Sequence, residues 1–140
     1  IYSLPLVLAA CGAPPAVVSR PAIPVDSAVR LAADVILPTE RPAAGVPTIL
    51  LQTRYWRSFR MRGGGGPALP QGPREPIVAR LIEAGFGVVI TDVRGTGASD
   101  GRWERPWSPA EVRDMRAVLD WIVAQPWSNG TVGATGVSYE

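Results

Sequence analysis

The sequence predicts the α/β class: a mostly parallel sheet with flanking helices, of which the chain carries an incomplete, N-terminal part. Three observations predict it. Short apolar runs at residues 48–53 and 86–91, with a third at 131–135, have the length of strands, and the first is apolar on both faces as a helix-covered strand is. Two helical patterns fall between these runs, giving the strand-helix-strand rhythm of a sheet with helices on both faces. The last run enters Gly136-Val137-Ser138, a strand giving way to a turn, two residues before Glu140.

Taken in order, residues 1–10 are almost wholly apolar, too short to span a bilayer as a helix but fitting the end of a signal-peptide core. They lead into Leu8-Ala9-Ala10-Cys11, which resembles a bacterial lipobox, where small residues admit the signal peptidase and the cysteine sulfur takes the lipid. Pro5, Pro14 and Pro15 disfavour the alternative of a buried strand. Residues 1–10 are thus expected to be a truncated lipoprotein signal peptide. Residues 11–24, the lipidated Cys11 with Ala, Pro, Val and Ser, are expected to be a tether, and residues 25–140 a partial domain. The expected location is the bacterial envelope, on the periplasmic or cell-surface side, with membrane contact through Cys11. Gly12 after the cysteine resembles outer-membrane sorting in Gram-negative bacteria. Cys11 is the only cysteine, so no disulfide forms within the chain.

Within the domain, residues 25–37 place Val29, Leu31, Ala33, Val35 and Leu37 on one side of a strand that Pro38 ends. After the strand at 48–53, Tyr55 and Trp56 lead to an arginine-rich segment and then Gly63 to Gly66 with Pro67, Pro70 and Pro73, a loop. Pro76 suits a first helical turn, and Ile77, Val78, Leu81 and Ile82 make a face that stops at Gly85. Ser108-Pro109-Ala110-Glu111 is a capping box with proline at N1. Val112, Met115, Val118, Leu119 and Ile122 then recur at helical spacing until Gln125-Pro126.

With 46% hydrophobic and 19% charged residues, the 140-residue chain has an ordinary globular balance. Its net charge of +2 is carried by arginine alone on the basic side. The arginines are scattered, only Arg54, Arg57, Arg60 and Arg62 lying close together, so no stripe that would track phosphates is present and no nucleic-acid partner is expected.

The chemistry centres on Ser138. A serine on a sharp turn after a strand is the leading part of a nucleophile elbow, with Gly136 allowing close backbone approach and the N–H of Tyr139 aimed at a developing oxyanion. The alternative is a polar turn serine. A serine hydroxyl needs a base, usually histidine held by a carboxylate, and the chain contains no histidine. A second candidate is Tyr55 in Thr53-Arg54-Tyr55-Trp56, past the carboxyl end of a strand, where ligands bind in open α/β sheets; its hydroxyl would be a second oxyanion donor. The alternative there is an aromatic packed under the following loop. The glycine-rich stretch 91–101 does not match a dinucleotide fingerprint, because the third glycine comes one position late and residues 102–106 begin no helix. No cofactor and no metal are expected. Asp92 and Arg94 are expected to pair and shape this loop.

Asp92-Val93-Arg94-Gly95-Thr96-Gly97-Ala98-Ser99-Asp100-Gly101, Asp120-Trp121-Ile122, Gln125-Pro126-Trp127-Ser128-Asn129-Gly130 and Gly136-Val137-Ser138-Tyr139, in that order, resemble the cocaine-esterase/X-Pro dipeptidyl-peptidase hydrolases, the CocE/NonD family. The resemblance implies an α/β-hydrolase core with a helical cap and a jelly-roll domain, cleaving small esters or X-Pro peptides. It makes Ser138 the nucleophile, Tyr139 a backbone oxyanion donor and Tyr55 the tyrosine that completes the oxyanion hole. Where members commonly show Thr-Pro-Tyr-Gly, this chain has Thr53-Arg54-Tyr55-Trp56. The family order of serine, acid, histidine implies triad partners beyond Glu140. The expected activity is that of a serine hydrolase working through an acyl-enzyme, with the 140 residues alone inactive. The rivals are a non-catalytic lipoprotein with a hydrolase-like binding domain and another α/β-hydrolase such as a prolyl-oligopeptidase-like peptidase. The oligomeric state is not legible.

Overall fold

The computed structural model describes residues 15–57 and 74–138. In chain order its elements are β1 (Ala16–Ser19), β2 (Ala22–Pro24), β3 (Arg30–Pro38), β4 (Val46–Thr53), α1 (Glu75–Glu83), β5 (Gly87–Asp92), α2 (Pro109–Val123) and β6 (Ser128–Ala134). They form one mixed sheet in the order β1-β3-β5-β4-β6, with β2 also on β3. β5 and β6 flank β4 in parallel, while β3 is antiparallel to β5, and β1 and β2 are antiparallel to β3. The parallel part is therefore the β5-β4-β6 side, and the N-terminal strands make an antiparallel margin.

Alternation of side chains decides which helix covers which face. β3 sends Leu31, Ala33, Val35 and Leu37 to one side, where they meet Leu50, Val89 and the α2 residues Val118 and Ile122. Ile36, Leu51, Val88 and Ile90 point the other way, to Val78 and Ile82 of α1. The two helices thus lie on opposite faces of the sheet. Ser108 caps α2 as its sequence predicts: its Oγ accepts from the Glu111 N–H at 3.2 Å, with proline following in the first turn. The inward stripes are narrower than the sequence pattern suggests. Ile77 in α1 and Val112 and Met115 in α2 are exposed.

The expected tether requires correction. Residues 16–24 are β1 and β2, which run along β3 from the Ala16–Pro38 pair to the Pro24–Arg30 pair. Ile23 is fully buried in the core. Pro21 falls between the two short strands and Pro24 ends the second, and an edge strand tolerates proline because half of its N–H groups face outward. Proline density suggested an unstructured linker, whereas the alternation Ala16-Val17-Val18-Ser19 suited an edge. Cys11 and residues 1–14 lie outside the described residues, as does the glycine- and proline-rich loop at 63–73. Among the described residues no helix is long and apolar enough to cross a membrane.

Candidate active site

The chain passes from β4 through α1 to β5 on one side of β4, then through α2 to β6 on the other side. The carboxyl end of β4 is therefore a switch point, with connections leaving over opposite faces, and such points leave a crevice open to ligands. Thr53 is paired with Asp92 at the ends of β4 and β5, and Ala134 of β6 with Leu50. Three loops consequently meet at this end: 54–57 after β4, 93–101 after β5, and 135–138 after β6.

Ser138 stands at the tip of the third loop, exposed, with φ of 62°. A left-handed backbone at a residue with a Cβ costs about 1–2 kcal/mol, and a serine held there is presented rather than tucked away. The hydroxyl of Tyr55, a residue 46% exposed, lies against the Ser138 side chain. That hydroxyl contact, and after it the Arg54 guanidinium, hold the phenol below the usual tyrosine range. Arg54 sits 5.2 Å from the centre of the Tyr55 ring and 5.3 Å from that of Trp103, which is within cation–π range of both. Sequence analysis brought Ser138 and Tyr55 forward separately, and the fold brings them together. Tyr139 lies outside the described residues.

Asp92, fully buried at the end of β5, organises the floor of the site. Its carboxylate accepts from the Arg57 N–H at 2.7 Å, from Arg57 Nη1 at 2.6 Å and from the Ala98 N–H at 3.2 Å. Arg57 Nε donates at 3.2 Å to Asp34, fully buried in β3, which also receives Arg20 Nε at 3.2 Å. Thr53 Oγ1 accepts from the Tyr55 N–H at 2.9 Å and from Arg74 Nη2 at 3.0 Å, and Arg74 Nη1 donates to the Trp56 carbonyl at 3.2 Å. Burial pushes the Arg74 pKa down, with the negative charge of Asp92 opposing.

The expected Asp92–Arg94 pair does not form. Arg94 instead grips Asp114 of α2 with two bonds, Nε to Oδ2 at 2.6 Å and Nη2 to Oδ1 at 2.5 Å, and reaches Asp26 at 3.5 Å. The Asp114 bonds push the Arg94 pKa up against the contrary effect of burial. β5 ends at Asp92 and the chain turns at once, with the Thr96 N–H on the Val93 carbonyl, so Arg94 no longer shares the strand's same-face register: Asp92 turns to Arg57 and Arg94 to the helix. The loop is sewn to β3 as well: Ser99 Oγ donates to the Asp92 carbonyl and accepts the Ala32 N–H, and the Asp100 N–H meets the Arg30 carbonyl.

Sequence reasoning missed Arg57, Asp34 and Arg74. Asp34, a lone acid inside an apolar strand, was the available signal, since a buried carboxylate demands a partner. Among the described residues no group of three or more His, Cys, Asp or Glu is placed to hold a metal ion.

A sheet with a switch point at β4, helices on opposite faces and a serine elbow after β6 defines an α/β-hydrolase core. The chain belongs to the X-Pro dipeptidyl-peptidase (S15) family, whose sequence model matches residues 26–140. It is 44% identical over 119 residues to a protein of Mycobacterium bovis named as a serine esterase, covering 80% of this chain and 19% of that one. It is 32% identical over 123 residues to the cocaine esterase of a Rhodococcus species, covering 88% and 19%. Among solved structures, an α-amino acid ester hydrolase superposes with a TM-score of 0.68 at 28% identity over 98% of this chain and 23% of that one. A CocE/NonD family hydrolase of Staphylococcus aureus does so with a TM-score of 0.61 at 27% identity over 79% and 21%. The chain spans about a fifth of the length of the curated relatives it matches.

Proposed function

We propose that this chain carries the nucleophile and both oxyanion donors of a serine hydrolase that cleaves small esters. The carrying observation is Ser138 in a left-handed turn at the switch point with the Tyr55 hydroxyl against it. Ser138 Oγ attacks the ester carbonyl carbon, and its proton passes to a histidine. The carbonyl oxygen becomes an oxyanion that accepts from the Tyr55 hydroxyl and the Tyr139 N–H. Collapse expels the alcohol, which takes the proton from the histidine, and leaves an acyl-enzyme that water hydrolyses by the same steps. The 140 residues contain no histidine, so in this reading the base is supplied from outside them. X-Pro peptides are the second reading, favoured by the family model; esters come first because the relatives at 44% and 32% identity are named as esterases. Cys11, in its lipobox-like setting, is the proposed site of a lipid that anchors the enzyme to the bacterial envelope.

The test uses the product of the whole open reading frame. A fluorophosphonate probe is expected to label the wild type and not Ser138→Ala, whose turnover of p-nitrophenyl acetate should fall by at least about 10⁴-fold. Equal labelling of both would overturn the assignment. Residues 1–140 alone should hydrolyse no ester above background, and saturable turnover by them would refute the need for a histidine outside them. An alkyne-fatty-acid label incorporated by wild type and lost in Cys11→Ser tests the anchor; retention of the label would rule out Cys11.

A further inference from the structure

Among the described residues, apolar packing does little to hold Tyr55, whose ring has the Arg54 guanidinium over it. The residue is 46% exposed, and its neighbour Trp56 is 62% exposed with φ of 67°, a left-handed backbone that persists only where its surroundings over-determine it. The restraint comes from polar anchors on both sides. Before the tyrosine, Thr53 Oγ1 takes the Tyr55 N–H, and Arg74 ties that same oxygen to the Trp56 carbonyl. After it, Arg57 is bound three times: through its backbone N–H and Nη1 to the two oxygens of Asp92, and through Nε to Asp34.

Asp92 and Asp34 lie on the neighbouring antiparallel strands β5 and β3, and both are fully buried. They are therefore fixed points of the sheet, and Arg57, with 17% of its side chain exposed, is the group that joins the loop to them. Gly97 closes the other side of the Asp92 carboxylate so tightly that a Cβ there would overlap it. The carboxylate cannot swing away, and its direction is transmitted to the loop.

We propose that Arg57, clamped between Asp34 and Asp92, is the positioning residue that sets the Tyr55 hydroxyl against Ser138. Asp92, in the Asp-Val-Arg-Gly stretch, then acts on the site through Arg57 rather than through Arg94. The inference rests on the serine-hydrolase reading above for its kinetic consequence, and on geometry alone for its structural one. An oxyanion donor displaced by about 1 Å loses most of its effect, so a loosened clamp lowers kcat and leaves KM almost unchanged.

The test is a double-mutant cycle in the product of the whole open reading frame, with active sites counted by fluorophosphonate. Tyr55→Phe is expected to lower kcat about 10²–10³-fold, and Arg57→Gln about 10–100-fold with KM within about twofold. The double variant should be no slower than Tyr55→Phe alone within about twofold, because the clamp acts only through the tyrosine. Multiplying losses, or a wild-type kcat in folded Arg57→Gln, would overturn the proposal. Should Arg57→Gln not fold, Arg57→Lys, which keeps the charge but cannot reach both carboxylates, carries the same comparison with a several-fold loss expected. A separate measurement needs no turnover: 3-fluorotyrosine at position 55, followed by ¹⁹F NMR, should shift or broaden in both Ser138→Ala and Arg57→Lys. If the wild type turns over no ester, the hydrolase reading fails and this measurement alone decides the clamp; a Tyr55 resonance unmoved in Arg57→Lys refutes it.

Discussion

Gly97→Ala isolates the cost of disturbing Asp92 from the cost of an unusual backbone, because the structure supplies its own control. Gly97 and Gly130 both have positive φ, 54° and 84°. A Cβ on Gly130 meets nothing within 4 Å, whereas one on Gly97 overlaps the Asp92 carboxyl carbon and both of its oxygens. Gly130→Ala should therefore cost only the left-handed backbone penalty, about 1–2 kcal/mol. Gly97→Ala adds the displacement of a fully buried carboxylate from Arg57, and breaking a buried ion pair costs about 3–5 kcal/mol, for about 4–7 kcal/mol together. Urea titration followed by tryptophan fluorescence, compared at equal m-values, reads the difference. If the two variants fall within about 1 kcal/mol of each other, Asp92 is not held as described and the reasoning fails.

Two further outcomes follow from the same geometry. Tyr55 can donate to an oxyanion only as the neutral phenol, and since its pKa is depressed by the Ser138 hydroxyl and then by Arg54, kcat/KM should fall as pH rises through a value below the usual tyrosine range. Arg54→Met should move that alkaline limb to higher pH, and a limb that stays in place would show that Arg54 has no hold on the phenol. Ser108→Ala removes the oxygen that accepts the Glu111 N–H and should cost about 1 kcal/mol in the same urea titration; an unchanged midpoint would mean the cap contributes nothing.

What was legible in the sequence was whatever rests on local periodicity. β3 alternates in patches, enough for the residues on its α2 face to be named, and Ser108 to Glu111 carries its cap in four letters. The pairing of Ser138 with Tyr55 was half legible: each residue was marked by the strand end it follows, but only the β5-β4-β6 order brings the two loops together. The ion network was illegible because its partners lie 23 and 35 residues apart, while a nearer arginine, Arg94, stood two positions from Asp92. Residues 16–24 misled for a different reason. Proline content is read as a linker, and an edge strand accepts the same composition.

The edge strand also changes how far the domain can stand from a surface. With β1 starting at Ala16, four residues separate it from Cys11, and the five Cα-to-Cα steps, fully extended, reach about 18 Å. A tether over residues 11–24, thirteen Cα-to-Cα steps from Cys11, would reach about 45 Å. If Cys11 carries the proposed lipid, the enzyme rides close above the headgroups instead of swinging freely. Any pull on the anchor then enters as shear along the β1–β3 ladder, the loading direction in which a strand pair resists with all its hydrogen bonds at once.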